Sequence, residues 1–138
     1  MAYVEFEDNH LQVEEALKDC AVAFLYEALA ELQSETARNT AVKTGQTKGS
    51  WEVSVDEETL EGLIGSALEN ALWEELGTGE YALNNDGRKD GWAYQDENGN
   101  WHFTHGKKPR RMLWNAFEKL KPKIEKMAET KLKEMNDI

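Results

Sequence analysis

Cysteine is almost absent from this chain: Cys20 stands alone among 138 residues. A single thiol excludes an internal disulfide and any cage of thiolates around a metal. Proline is nearly absent too, with Pro109 and Pro122 the only two, so long helices are permitted. No run in the sequence approaches the roughly 20 apolar residues that span a bilayer. Positive charge is in short supply, since sixteen Lys/Arg face twenty-seven Asp/Glu for a formal net charge of −11. General nucleic-acid binding wants a basic surface that displaces counterions from phosphate, and this balance argues against it. The opening residues Met1–Asp8 are acidic where an export signal is basic and then apolar, so a cytoplasmic origin is expected.

What is present suits one folded domain. A hydrophobic fraction of 40% and a charged fraction of 31% are those of ordinary soluble domains. Val13, Leu17, Cys20, Ala21, Phe24, Ala28 and Leu32 recur at steps of three and four, which predicts a helix from about His10 to Thr40 with one apolar stripe. Cys20 falls on that stripe as a buried, inert thiol, while Glu14, Glu15, Lys18, Glu27 and Glu35 take the wet side. Residues 44–50 break the helix with two glycines but lack the spacing of a phosphate-binding loop. Trp51, Val53 and Val55 alternate with polar residues as a half-buried strand, and Asp56–Thr59 turns the chain. Leu60–Ser66 is the partner strand, in which Gly62 and Gly65 permit close backbone approach. Ala67–Leu76 reads as a short helix with Leu68, Ala71, Leu72 and Leu76 inward, closed by Gly77.

Residues 80–91 are polar and rich in Asn, Asp and Gly, the composition of a loop. Beyond them Trp92–Gln95 and Trp101–Thr104 flank Asn98-Gly99, the preferred two-residue hairpin turn. With those two residues as the loop, Tyr94 faces Phe103, and Trp92, Tyr94, Trp101 and Phe103 share one face. Four aromatics there need a cover, either the domain's own core or a neighbouring subunit. A basic connector follows, and then a helix from about Met112 to Met135 that Pro122 loosens. Trp51, Trp73 and Trp114 are expected in the core. The order helix, strands, short helix, hairpin, helix makes the fold α+β, one domain over residues 1–138 with its core at about 10–135 and a hairpin insertion at about 80–108.

Charge is divided along the chain. From Lys107 onward ten Lys/Arg face five Asp/Glu, whereas residues 1–106 hold six against twenty-two. Either two solvated faces of different sign result, or the basic end of one copy meets the acidic body of the next.

Patterns that carry chemistry are missing. His102 and His105 are three apart beside a strand, where odd spacing sends side chains to opposite faces. His10 sits at a helix start beside Asn9 as a neighbour of the cap. Cys20 has no activating base, and no serine lies in a nucleophile elbow. No catalytic residue, metal ligand or cofactor is expected, and the chain reads as a structural or interaction protein rather than an enzyme.

Three short patterns occur in order. Thr44-Gly45 followed by Ser50 lies between the long helix and the first strand, Glu75-Leu76-Gly77-Thr78 ends the short helix, and Pro109, Leu113 and Ala116 open the last helix. Together they resemble the tail-completion, or head–tail joining, family of long-tailed bacteriophages and prophages. The similarity covers about residues 10–135, with the hairpin as an insertion; Thr47 and Asn115 stand where that family has a leucine and a proline. The resemblance implies a virion protein at the head–tail junction, assembled in the host cytoplasm as a ring of six copies between the capsid connector and the tail-tube or tail-terminator proteins. It implies no turnover, no cofactor, no membrane and no sequence-specific nucleic acid, although DNA passes through the ring. A ring needs two different patches of the same chain. Trp92, Tyr94, Trp101 and Phe103 are one candidate patch, and Lys107, Lys108, Arg110 and Arg111 the other. Gly77 and Thr78 are expected to serve the fold by ending a helix tightly. Two rival readings are a small nucleic-acid-binding regulator using Lys121, Lys123 and Lys126 of the last helix, and a hydrolase relying on Glu75 and His102.

Overall fold

A computed structural model describes residues 3–42 and 45–136, so Thr44 lies outside the described residues. The long apolar stripe forms helix α1, His10–Asn39. The Asp8 carboxylate accepts the His10 N–H at 3.1 Å and lies 2.7 Å from the ring Nδ1, placing negative charge where the helix dipole favours it. Helix α3, Met112–Asn136, runs antiparallel to α1 and continues through Pro122. The ion pairs Lys119–Glu35, Lys123–Glu31 and Lys131–Glu27 fix that direction, because one number rises as the other falls.

Strands β1, Trp51–Asp56, and β2, Glu61–Ser66, form an antiparallel pair with Val53 opposite Ile64 and Val55 opposite Gly62. The turn between them closes on the Asp56 carboxylate, which accepts the N–H groups of Glu58 and Thr59. This pair lies on the second half of α1, and a Cβ at Gly62 would stand 2.7 Å from Leu29 Cδ1. Nothing lies within 4 Å of one at Gly65, so close approach is needed at the first glycine only. Helix α2, Glu69–Leu76, leads to a second antiparallel pair, β3, Trp92–Gln95, and β4, Trp101–Thr104. The fold is α+β.

The core is made of two clusters. Leu29, Leu32 and Leu120 pack with Val53, Val55, Ile64 and Ile124, and Trp51, Ala71 and Met112 pack with Ala37, Leu68 and Leu113. Each large side chain so buried contributes about 1.5–3 kcal/mol. The polar groups inside are satisfied: Trp51 Nε1 donates to Thr40 Oγ1 at 2.9 Å, Thr40 to the Thr36 carbonyl, and Thr36 to the Leu32 carbonyl.

Burial departs from the sequence reading where no second layer reaches. Val13 and Leu17 are exposed and Cys20 is only half-buried, because the β1–β2 pair covers α1 only along its second half. Glu35 is buried rather than wet, held by Lys119 at 2.8 Å and Arg38 at 2.7 Å. Trp51 is core as expected, but Trp73 and Trp114 are 51% and 49% exposed and Leu72 faces solvent. The accessible surface is 10427 Å². A compact monomer of 15.8 kDa exposes about 7,300 Å². Residues 3–9, exposed throughout, account for part of the surplus, with Tyr3, Val4 and Phe6 all solvated.

Candidate interaction surface

The second and third sequence patterns, more than 30 positions apart, meet in space. Glu75 reaches from the end of α2 to the start of α3, where Oε2 accepts the Leu113 N–H at 2.9 Å and Oε1 the Trp114 N–H at 3.0 Å. The residue before the helix, Arg111, has φ 54° and a side chain that cannot cap, so the carboxylate from α2 does so. Arg111 Nε lies 3.8 Å from that carboxylate, and its guanidinium sits over the Trp114 ring at 5.2 Å. Gly77 ends α2 with φ 78°, and a Cβ there would meet the Pro109 ring at 2.8 Å and the Lys107 carbonyl at 2.9 Å. Leu113 packs in the Trp51 cluster and Ala116 is fully buried. In the first pattern, Ser50 Oγ lies 2.6 Å from Ser66 Oγ, which accepts the Leu68 N–H just before α2, while Gly45 is exposed at φ 76°.

The hairpin insertion leaves and re-enters the body at one point. Thr78 N–H donates to the Lys107 carbonyl and Lys107 N–H donates to Thr78 Oγ1, both at 2.9 Å. Immediately inside this pair, Gly79 and Gly106 have φ 62° and 115°, and a Cβ on either would collide with the main chain of the other limb. The base is therefore a clamp of two strands of backbone with no space for side chains between them.

The register of the hairpin corrects the expected one by a single residue. Tyr94 lies opposite His102 and Ala93 opposite Phe103, so Trp92 and Tyr94 share one face while Trp101 and Phe103 take the other. The cause is a three-residue loop: Asp96 N–H bonds the Asn100 carbonyl, Gly99 at φ 82° bonds back to the Asp96 carbonyl, and the Asp96 side chain accepts the N–H groups of Asn98 and Asn100. A type I turn followed by a left-handed glycine displaces the two-residue turn and puts the side chains of β4 on the opposite face relative to those of β3. The carboxyl of Asp96 is held below the usual carboxylate range, first by His102 at 2.7 Å and then by the Asn100 N–H. His102 also stacks on Tyr94 with centroids 5.3 Å apart. Among the described residues no other element packs broadly on this hairpin, and Trp101 and Phe103 are 71% and 64% exposed.

The basic connector is not one free patch. Arg110 Nε donates to the Asn39 carbonyl at 3.0 Å and Arg111 is engaged with Glu75, whereas Lys107 and Lys108 remain exposed. The basic face of α3 is likewise spent in part on its own chain, through the three ion pairs with α1. That pairing leaves less free charge for either the neighbour-copy or the nucleic-acid reading. Glu75 is committed to the start of α3, and His102 to Asp96 and Tyr94, so the two residues of the hydrolase reading serve separate structural tasks. At the other end of the α1–α3 pair, Leu17, Ala21, Phe24, Leu60, Ala128 and Leu132 line an open apolar groove of about 510 Å³, which Cys20 also borders. Among the described residues no group of three or more His, Cys, Asp or Glu is placed to hold a metal, and no helix is long and apolar enough to cross a membrane. Comparison with known proteins finds no matching family model, no matching curated protein and no matching solved structure.

Proposed function

We propose that this chain is a structural subunit of a bacteriophage head–tail joint, which completes the tail or docks it to the head by associating with copies of itself and with connector and tail proteins. The observation that carries this reading is the surplus of accessible surface, roughly 3,000 Å² beyond a compact monomer of the same mass. Permanent assemblies bury about 1,000–2,500 Å² on each partner, which such a surplus can supply. The exposed surface includes large apolar groups, among them Trp101, Phe103, Trp73, Trp114 and Leu17, which water does not favour. The three ordered sequence patterns supply the particular assembly, and the convergence of two of them on the α2–α3 junction gives those residues a framework role. A ring of six copies with DNA passing through it is the arrangement the resemblance implies; an acidic body suits such a passage, because repulsion keeps phosphate from sticking.

Deleting the gene from its phage or prophage tests the reading. Electron microscopy of the induced lysate is expected to show filled heads and separate tails, restored to whole particles by the gene in trans. Joined, infectious particles from the deletion would refute it. The nucleic-acid regulator makes the opposite forecast: binding of purified protein to duplex DNA that weakens steeply with salt and disappears when Lys121, Lys123 and Lys126 are neutralised.

A further inference from the structure

Between α2 and the Trp92/Tyr94 face of the hairpin lies a second cavity, of about 380 Å³, lined by Trp73, Glu74, Trp92, Tyr94, Asn70 and Lys107 among others. Three aromatic rings and one carboxylate converge on it from two elements separate in sequence. The carboxylate is under-satisfied. Glu74 Oε1 receives only a 3.4 Å contact from Asn70 Nδ2, and Oε2, shielded from solvent, has no hydrogen-bond partner among the described residues. A buried carboxylate oxygen without a donor is costly, and native folds leave few of them. The last torsion of a glutamate is broad, so rotation about it is the movement that would bring that oxygen to a donor entering the cavity.

We propose that this cavity receives the side chain of an arginine carried on another polypeptide. Aromatic faces attract a cation through their negative quadrupole, and a guanidinium adds planar stacking and donors that match a carboxylate. The cations nearest in sequence do not fill the role: Arg110 donates to the Asn39 carbonyl and Arg111 is ion-paired with Glu75, which leaves Lys107 among the lining residues. The volume is at the small end for ligand pockets and suits one side chain rather than a large cofactor. A polypeptide, rather than a free cation, is favoured by the wall itself. Among the described residues no further strand pairs with β3, so the strand that brings Trp92 and Tyr94 to the cavity offers a free edge to an extended segment carrying the arginine.

The test uses the full chain and a blocked pentapeptide with arginine at its centre, flanked by valine and threonine. Its controls are the same peptide with neutral citrulline and a blocked arginine monomer. Indole N–H signals of the five tryptophans are followed by NMR during titration. Saturable shifts at Trp73 and Trp92 are expected with the arginine peptide, weaker by about tenfold or more with citrulline or in Glu74→Gln, as for loss of a hydrogen bond to a charged group. Lys107→Met is expected to tighten binding by removing a competing cation. The Trp51 signal, whose N–H is buried against Thr40, should stay fixed in every variant and so reports an intact fold. No saturable shift, equal binding of the citrulline peptide, or undiminished binding by Glu74→Gln would overturn the proposal. Binding of the arginine monomer as tight as that of the peptide would overturn the assignment to a polypeptide.

Discussion

The base and the head of the β3–β4 insertion are built on opposite terms. At the base, Thr78 and Lys107 bond reciprocally, Gly79 and Gly106 press main chain on main chain, and Glu75 ties the same region to α3. Every position there is determined by several partners. At the head the one broad contact among the described residues is between the two strands, and Trp101 and Phe103 stand in water. A mount without play carrying an exposed aromatic surface is what a contact arm requires, because little ordering entropy remains to be lost when a partner arrives. A mobile loop bearing the same aromatics would bind with far more loss of freedom.

The comparison predicts unequal responses to mutation. Gly106→Ala forces a side chain into the Thr78 carbonyl at φ 115°, and a loss of about 3 kcal/mol in denaturant unfolding is expected. Glu75→Ala leaves two helix-starting N–H groups of α3 without their acceptor and should cost about 2 kcal/mol, read the same way. Acid acts on the head through Asp96. Because the Asp96 carboxyl is lowered by His102 and the loop N–H groups, its contribution is complete above the ordinary carboxylate range and fades as pH falls through the lowered value. Amide exchange at Asn98 and Asn100 should accelerate over that window while the Trp51 indole signal stays unchanged. The smallest effect on stability belongs to Trp101→Ala combined with Phe103→Ala, within about 0.5 kcal/mol in the free chain, since neither ring is buried. A large loss there would mean the head is part of the core and erase the contrast.

Periodicity made much of the framework legible. Helix α1 begins and ends within a residue of where the stripe of Val13 to Leu32 places it, and the alternation of Trp51, Val53 and Val55 locates β1. Local sequence also found the hairpin, but its register turned on whether the loop holds two residues or three. That choice depends on the Asp96 carboxylate gathering two N–H groups, which Asn98-Gly99 alone does not reveal. The cap of α3 was illegible for a related reason: the acceptor lies 38 residues upstream in Glu75, and only the folded chain brings it there. The exposure of Trp73 and Trp114 escaped as well, because a hydrophobic residue reports that it favours burial and not whether a layer exists to cover it. Glu35 is the converse, a carboxylate drawn inside by Lys119 from a helix whose pairing the sequence leaves open.

The most direct measurement is complementation of the gene deletion by the Trp101→Ala/Phe103→Ala variant, scored as infectious titre beside the wild-type gene and with soluble, folded protein verified in the same lysate. A stable variant that accumulates normally and leaves heads and tails apart is expected. A titre equal to wild type would contradict it, placing the contact on some other part of the surface.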